Sequence, residues 1–457
     1  MCAQRANRTT SSLYVRICDV KANASAFTLV QISFQTTSWG CFSVEAGGIR
    51  DRLDWVLGKN QIPTNGDSTL NRVCSIFSQI LQLMPRLEFQ AAVSEHKAER
   101  HSRGFSSWTQ LIAMLFCQLG NAQSLREITG GLAASEGKLR HLGVGKAPKR
   151  STLSYANEHR PWQLFQTVFY QLLKRCQAEA AGQKRKFRFK HKLLSLDSTV
   201  IPLCLSMFDW AQYKRAKGAV KLHLVLDHDG YLPSYAVLTQ GKTADITAAR
   251  QMSFAPGTML VFDRGYTDYD WWLSLTRGKV HFVTRLKDSA QYGVMEQREV
   301  QEGGNILRDE VIVLCGQQEI GPQARLRRIE VWVEEKLETM VFVTNNFKLA
   351  ASTIASIYKE RWAIELFFKA LKQGLRIKTF VGTTENAVQT QIWTALIAML
   401  LVKYLQLRST FGWSLSNLIA LLRQQLFVYR DLFTWLNNPF EPPPVLDDGQ
   451  MTLAFGS

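Results

Sequence analysis

The stretch Tyr358 to Lys372, which reads YKERWAIELFFKALK, is the part of the chain from which the fold is best predicted. At about 100° per residue, about a third of its helical wheel carries Tyr358, Arg361, Trp362, Glu365, Lys369 and Lys372. The rest of the wheel is apolar, which predicts a helix packed into a core. The polar stripe permits two interpretations. It forms either ordinary ion pairs between residues four apart or part of a functional site.

The composition favours a globular protein that binds a polyanion. The chain has 457 residues, and its 55 lysines and arginines exceed its 38 acidic residues by 17 charges. This length is enough for about two to four domains. Such an excess of positive charge indicates nucleic acid first and an anionic membrane surface second.

Three features bear on the compartment. The longest apolar run, Ile392 to Val402, is too short to cross a bilayer and predicts a buried helix. No charged segment precedes a clean apolar run near the N-terminus, so a signal peptide is not expected. The eight cysteines form no C-x-x-C pair, which argues against a zinc knuckle or a disulfide framework. We therefore expect a protein of the reducing cytoplasm with no membrane partner.

The N-terminal part of the chain divides at about residue 69. Residues 1–68 are rich in Ser, Thr, Asn and Gly, which predicts either a disordered extension or a mis-assigned upstream start. From there, helical spacing of apolar residues predicts an all-helical DNA-binding domain over residues 69–185. Its predicted helices include Ser107 to Leu119, a helix from Leu125 that Gly130-Gly131 would end, and one from Pro161 to about Ala181.

Positive charge is concentrated in this helical segment. Between Ala91 and Lys192 there are 18 lysines and arginines against 6 acidic residues. The segment ends in a run that alternates with phenylalanines and contains Lys184, Arg185, Lys186, Arg188 and Lys190. Such a run is either a solvated linker or an arm that follows DNA phosphates. Because it joins a basic helical block to a β-rich block, we favour the DNA-contacting arm.

The remaining chain predicts an α/β fold with a mixed sheet. Leu193 to Leu203 has strand composition, and a turn at Asp229-Gly230 joins two further strands as an antiparallel hairpin. A helix that Thr243 would cap, a strand, a helix and a strand follow, which is typical of a mixed α/β sheet. We therefore predict one core from residues 186–286 and 347–430, a β insertion at residues 287–346, and a C-terminal tail at residues 431–457.

Two aspartates lie where a carboxylate needs a partner. Asp197 lies inside an apolar strand, where an unpaired charge is costly to bury, and Asp263 follows the strand TMLVF. Each position is also compatible with a turn or a strand end. Together with Glu365, however, they can hold two divalent ions about 3.5–4 Å apart for in-line phosphoryl transfer. Hard oxygen ligands favour Mg²⁺.

These residues resemble the signature of a known family. Asp197, Asp263 and Glu365 are similar to the DDE triad of bacterial insertion-sequence transposases, at intervals of 66 and 102 residues. The spaced Y-R-E-K pattern of the insertion sequence 4 group is matched by Tyr358, Arg361, Glu365 and Lys372. The resemblance extends over about residues 70–430, and residues 1–68 have no counterpart in it.

The resemblance implies a ribonuclease-H-like catalytic core and cut-and-paste DNA transposition at terminal inverted repeats. It also implies two Mg²⁺ ions, with Mn²⁺ as a substitute, and a homodimer that joins two double-stranded DNA ends near a bacterial nucleoid. The triad residues would be the metal ligands. DNA contacts are expected from Tyr358, Arg361, Lys369, Lys372, Arg264 and Trp332. For Trp332 the choice lies between stacking on a flipped base and burial in a strand.

Two other functions share part of this pattern. A ribonuclease-H-like nuclease or recombinase would have the triad without needing the insertion. An inactive, transposase-derived DNA-binding protein would be expected to have lost a carboxylate, and all three are present. Inverted repeats and a target duplication flanking the gene would favour the transposase.

Overall fold

The computed structural model describes residues 12–15, 30–33 and 74–441, except residues 101, 136, 183–185, 188, 190, 205–207, 209, 211, 215–216, 301–302 and 316–323. Within residues 1–71, which form a unit of their own, β1 (Ser12–Val15) and β2 (Val30–Ser33) make an antiparallel pair. The rest of segment 1–68 lies outside the described residues. Its disorder therefore stays a prediction.

The described chain then forms six α-helices before its next strand. They are α1 (Ile76–Gln82), α2 (Arg86–Glu95), α3 (Ser107–Leu119), α4 (Leu125–Ala134), α5 (Arg150–His159) and α6 (Gln163–Ala180). Ser106 and Ser124 cap α3 and α4 by accepting backbone N–H hydrogen bonds from Thr109 and Glu127. The predicted limits of α3 and the predicted start of α4 are confirmed.

Two local predictions are wrong. Gly130-Gly131 does not end α4, which continues to Ala134. A Cβ at Gly131 would approach the Phe116 ring to 2.8 Å, so this glycine permits close packing inside the helix. Thr243 does not cap the following short helix, because Ala244 stands at its N-cap position without a side-chain hydrogen bond.

The core sheet has the predicted mixed topology. In β3 (Leu193–Leu203), β5 (Lys217–Asp227) and β6 (Leu232–Gln240), neighbouring strands are antiparallel. The short strand β4 (Gln212–Lys214) pairs with β5. After α7 (Asp245–Ala249), β7 (Met259–Phe262) lies parallel to β3, and after α8 (Tyr269–Arg277), β8 (His281–Arg285) lies parallel to β7. The order β6-β5-β3-β7-β8 is that of the expected ribonuclease-H-like core.

The predicted β insertion extends this sheet. It comprises β9 (Tyr292–Gln297), β10 (Ile306–Leu314), β11 (Arg325–Val333) and β12 (Glu338–Thr344), and neighbouring strands are antiparallel. Strand β12 pairs with β8, so core and insertion form one ten-stranded sheet.

Buried ion pairs join the strands of the insertion. Arg327 donates to both carboxylate oxygens of Asp309, at 2.8 and 2.6 Å. Its neighbour Arg328 donates to Glu310 at 2.9 Å and to Glu330 at 2.8 Å. Arg327 is 3% exposed and Arg328 7%, so water contributes little to satisfying these charges.

The stretch Tyr358 to Lys372 is two helices and not the single helix that its pattern predicts. Helix α9 (Ala351–Glu360) and helix α10 (Trp362–Gly374) meet at Arg361. The N–H of Arg361 donates to Tyr358 O at 3.1 Å, and Ile364 N–H donates to Arg361 O at 3.2 Å. These bonds span three residues instead of four, so a tight 3₁₀-like turn interrupts the helix at Arg361.

Three helices follow in the described part of the chain, up to residue 441: α11 (Glu385–Arg408), α12 (Leu415–Gln425) and α13 (Leu432–Asn437). Helix α11, with 24 residues, is long and apolar enough to cross a membrane, but 89% of its apolar window is buried inside the protein. The predicted burial of Ile392 to Val402 is therefore confirmed, within a helix longer than that run.

One hydrophobic core connects the helical N-terminal part to the sheet. It contains side chains of α1–α6, of one face of β3, β5 and β6, and of α10–α13. Residues 72–457 accordingly form one compact unit. The predicted domain boundaries within it stay predictions.

Candidate active site

The two aspartates lie side by side where the parallel pairing of β3 and β7 ends. Strands β3 and β7 are paired so that Leu196 lies opposite Phe262. Asp197 and Asp263 are the next residues along each strand, and they therefore reach the same edge of the short parallel pair. Apolar residues fix this register, because Leu196 and Phe262 are fully buried in one cluster.

The third carboxylate comes from the helix that packs on this sheet. Glu365 lies in the first turn of α10, and its side chain is 33% exposed. Its Oε1 accepts a hydrogen bond from Arg361 Nη2 at 2.5 Å. Arg361 Nη1 also lies 3.8 Å from Asp197 Oδ2. One guanidinium therefore connects the strand carboxylate to the helix carboxylate.

Tyr358 connects the same place to the second aspartate. Its hydroxyl donates to Asp263 Oδ1 at 3.5 Å. The ring is buried against Phe342, with 4.7 Å between ring centroids, and Arg361 lies 5.6 Å from its centroid. Burial is the main cause that raises the pKa of the Tyr358 hydroxyl, so Tyr358 stays a neutral donor at physiological pH.

The site carries more negative than positive charge. Burial raises the pKa of Asp197 to about 6, and repulsion from Glu365 and Asp263 adds to this effect. The backbone N–H of Ser198 and the guanidinium of Arg361 act in the opposite direction. The upward shift shows that these two partners do not compensate the buried carboxylate.

The donor set fits a hard divalent cation. Three carboxylates in a half-buried place supply the oxygen ligands that Mg²⁺ or Mn²⁺ prefers. Among the described residues, no three acidic, histidine or cysteine side chains are close enough to chelate one ion. The Arg361 guanidinium lies between Asp197 and Glu365 instead.

The remaining residues of the polar stripe lie along α10, before and after Glu365. Lys372 Nζ donates to Val200 O on β3 at 3.0 Å, and Lys369 is exposed. Trp362 and Leu366 are 57% and 52% exposed. The predicted apolar face is therefore wrong at Leu366, which points to solvent one turn beyond Trp362.

The other predicted DNA contacts are more dispersed. Arg264 lies 3.5 Å from Asp288, beside an open groove of about 560 Å³ that Asp263 and Lys287 also line. Trp332 on β11 is 37% exposed, so the alternative of a buried strand tryptophan is wrong. Lys186 forms an ion pair with Glu360 at 2.5 Å. Four predicted contacts lie outside the described residues: Lys184, Arg185, Arg188 and Lys190.

A polar cluster behind Asp197 was not predicted. Ser198 donates from its backbone to Asp197 Oδ1 at 2.8 Å and from its hydroxyl to Asp245 Oδ1 at 2.6 Å. Lys221 Nζ and His223 Nδ1 lie 3.2 and 3.6 Å from the same Asp245 oxygen. The signal in the sequence was the alternation K-L-H on β5, which places the side chains of Lys221 and His223 on the face of Ser198.

A ribonuclease-H-like sheet with two carboxylates at its parallel strand ends and a third on the packed helix defines a DDE-type polynucleotidyl transferase. Residues 188–401 match the profile of the transposase DDE domain. Residues 73–145 match a domain of unknown function, DUF4372.

The relatives agree with this class. A protein named as a transposase in Sinorhizobium fredii is 30% identical over 68% of this chain and 87% of its own length. A transposase named for an insertion sequence element of Geobacillus stearothermophilus is 28% identical, over 56% of this chain and 67% of its own. A third, from Synechocystis, is 22% identical over 61% and 78%. This chain belongs to the DDE transposases of insertion sequences, which act on DNA and depend on divalent metal ions.

Proposed function

We propose that this transposase binds the terminal inverted repeats of its element and catalyses Mg²⁺-dependent strand cleavage and strand transfer by a cut-and-paste route. The observation that supports this most is the grouping of three carboxylates: Arg361 contacts both Asp197 and Glu365, and Asp263 lies beside Asp197 at the edge of the paired strands. Burial, with repulsion from Glu365 and Asp263, raises the pKa of Asp197 to about 6, and a bound cation would offset both causes. A metal-dependent phosphoryl transferase needs such a place.

Asp197, Asp263 and Glu365 would hold the ions, two Mg²⁺ with Mn²⁺ as a substitute. When bound, the ions supply Lewis-acid stabilisation of charge at the attacking and leaving oxygens. Tyr358 holds Asp263 by its hydrogen bond, and Ser198 holds Asp197 by its backbone N–H. Arg361, whose guanidinium lies between Asp197 and Glu365, would supply a charge-assisted hydrogen bond to a DNA phosphate.

The cations around the site would hold the DNA backbone. Lys369 and Lys372 lie one and two turns beyond Glu365 on α10, and Arg264 lies beside Asp263. The basic run at residues 184–190 and Trp332 of the insertion would extend this contact. We further propose a homodimer that holds two DNA ends in one complex, acting in the bacterial cytoplasm at the nucleoid, because joining two ends requires that both be held together.

Carboxylate-to-amide substitutions test the proposal. The substrate is a duplex carrying the terminal repeat that flanks the coding sequence, and the readouts are binding and Mg²⁺-dependent nicking. Asp197→Asn, Asp263→Asn and Glu365→Gln should each abolish nicking and leave end binding intact, since neutral amides ligate hard cations poorly. Asp270→Asn is the matched control, because Asp270 is an exposed residue of α8. Wild-type nicking by any of the three variants would refute the assignment.

The same assay decides the alternatives. A general ribonuclease-H-like nuclease would cut shuffled duplexes as fast as the terminal repeat. An inactive DNA-binding relative would bind the repeat and leave it uncut with either Mg²⁺ or Mn²⁺.

A further inference from the structure

Helix α5 (Arg150–His159) exposes one complete side. Its inner face is buried through Leu153, Ala156 and Asn157, and Asn157 accepts a hydrogen bond from Gln110 of α3 at 2.9 Å. The outer face carries Arg150, Ser151, Ser154, Tyr155 and Glu158, none of them buried. The helix is therefore firmly seated on one side and open on the other.

The exposed aromatic residue on this face is held in a fixed orientation. Tyr155 is 64% exposed, which is unusual for so large a side chain on a well-packed helix. Its ring stacks on His159 with centroids 3.9 Å apart and an interplanar angle of 17°. An exposed, pre-oriented amphipathic side chain suits recognition, because little conformational entropy remains to be lost on binding.

A cationic groove runs along the start of the same helix. The N-terminal turns of α4 and α5 line it with Arg126, Arg150 and Ser154, and its volume is about 720 Å³. Lys149 at the N-cap of α5 makes no side-chain hydrogen bond to the first turn. Two guanidinium groups and two positive helix ends therefore converge on one open groove.

The charge around α5 is predominantly positive. Residues 138–160 contain six lysines and arginines and one acidic residue. Arg140, Lys146, Lys149 and Arg150 are exposed. This surface is complementary to a polyanion, and its scale matches duplex DNA. A helix of ten residues is about 15 Å long, and a major groove about 12 Å wide admits an α-helix.

We propose that α5 is the helix that enters the major groove of the DNA end, with Ser154 and Tyr155 at base edges and Arg126 and Arg150 on flanking phosphates. This rests on the proposed function, namely binding of the terminal repeat. Serine hydroxyls hydrogen-bond to bases, and an aromatic edge contacts the thymine methyl group. Helix α4 packs against α5, and their first turns line the same groove, so α4 would meet the DNA backbone while α5 reads bases.

The same groove is joined to the catalytic helix. Phe380 and Val381, from the loop after α10, form its other wall. In that loop, Arg376 donates from its backbone to Gln118 Oε1 at 2.8 Å and from its side chain to Asn121 O at 3.1 Å. Bases read by α5 would therefore fix which phosphate reaches Glu365 on α10.

The test measures specificity and salt dependence separately on the full chain. The probes are a duplex carrying the terminal repeat and a shuffled duplex of equal length and composition. Ser154→Ala and Tyr155→Ala should each lower the ratio of their affinities roughly tenfold, as expected for a lost base contact. Arg126→Ala and Arg150→Ala should weaken binding to both duplexes by the same factor. Each should also reduce the slope of the logarithm of the association constant against the logarithm of salt concentration by about 1.

Two controls separate this from general effects. Lys174→Ala removes an exposed cation from α6, and Leu87→Ala removes an exposed apolar side chain from α2. Both should keep the affinity ratio of the wild type. Suppose that the wild type prefers and nicks the repeat, but Ser154→Ala and Tyr155→Ala both keep its affinity ratio. This result would overturn the present inference and leave the proposed function intact. A wild type without any preference overturns the proposed function and this inference together.

Discussion

The β insertion and the candidate active site both combine arginine with carboxylates, and they differ in the number of carboxylates per guanidinium. In the insertion, Arg327 and Arg328 donate to Asp309, Glu310 and Glu330 at 2.6–2.9 Å. In the candidate active site, Arg361 serves both Asp197 and Glu365. Asp263 there accepts a 3.5 Å hydrogen bond from the neutral hydroxyl of Tyr358.

The difference separates a structural cluster from a functional one. Buried charges are tolerated when partners and hydrogen bonds satisfy them, and in the insertion Asp309, Glu310 and Glu330 each accept a hydrogen bond from a guanidinium. In the active site, one guanidinium contacts both Asp197 and Glu365, and burial and like charges raise the pKa of Asp197 to about 6. We propose that this group of carboxylates receives an added cation.

The largest expected effect follows from removing one carboxylate charge from the candidate active site. Asp263→Asn should lower the nicking rate roughly a thousand-fold or more, because metal stabilisation of the transition state is worth several kcal/mol. Single-turnover nicking in Mg²⁺ measures it, with Asp270→Asn as the control on the exposed face of α8.

The stability of these variants adds a second test of the comparison. Without metal, Asp197→Asn should raise the free energy of unfolding, since it removes a repelled and buried charge. A clear loss of stability in urea titrations would mean that the carboxylate is balanced after all, as it is in the insertion.

In the insertion, the same kind of substitution should act on stability instead. Arg327→Met leaves Asp309 buried without its guanidinium, which should cost about 3–5 kcal/mol of unfolding free energy. The double variant Arg327→Met/Asp309→Leu should recover most of this loss, because no uncompensated charge remains. Urea titration of the three proteins measures both effects.

The matched control for this loss is an exposed pair. Lys359 and Glu335 lie 2.6 Å apart with both side chains about 70% exposed. Lys359→Met should therefore cost under about 1 kcal/mol. Equal losses from Lys359→Met and Arg327→Met would remove burial as the reason for the difference.

Local pattern was sufficient for much of the fold. Apolar spacing predicted helix α3, and a run of strand-forming residues predicted β3. The break at Arg361 could not be predicted, since a helical wheel assumes regular hydrogen bonding and the tight turn depends on tertiary contacts of Arg361 with Asp197 and Glu365. The predicted end of α4 at Gly130-Gly131 was wrong for a similar reason, because the packing of Gly131 against Phe116 is not visible in the local sequence.

The candidate site, too, was predictable from the sequence only in part. Carboxylates in apolar strands were informative because they are costly there, and the spaced Y-R-E-K pattern directed attention to Arg361. The partners of these residues depended on strand pairing. Ser198 lies opposite His223 only through the β3–β5 register, and Arg327 meets Asp309 only through that of β10 and β11.

A third kind of buried polar group should respond to pH. His223 is fully buried, and burial lowers its pKa to about 4 although Asp245 acts in the opposite direction. The histidine is therefore neutral in the folded protein, whereas in the unfolded chain it takes up a proton below about pH 6.5. Stability should thus be unaffected above this pH and fall between about pH 6.5 and 4.

The size of the pH effect follows from the shift. At about 1.36 kcal/mol per pKa unit, His223 should account for a loss of roughly 3 kcal/mol at the acid limit. Urea titrations of wild type and His223→Gln across this range isolate it, since the variant lacks the proton uptake. Parallel pH profiles for the two proteins would show that His223 is not held neutral.

The smallest expected effect distinguishes Lys372 from Arg361, two cations of the stretch Tyr358 to Lys372. Lys372 donates to a backbone carbonyl, Val200 O, whereas Arg361 contacts two carboxylates. Lys372→Ala leaves the carboxylates in place, and it should slow steps after the first nick roughly tenfold by removing about 1.5 kcal/mol of phosphate contact. Single-turnover assays on intact and pre-nicked ends measure the two steps.

Arg361→Ala should also slow the later steps more than the first nick, because the carboxylate oxygens of the proposed metal sites remain in place. If Arg361→Ala instead stopped the first nick as completely as Glu365→Gln, the guanidinium would be part of the metal site, and its position between Asp197 and Glu365 would be a requirement of the chemistry.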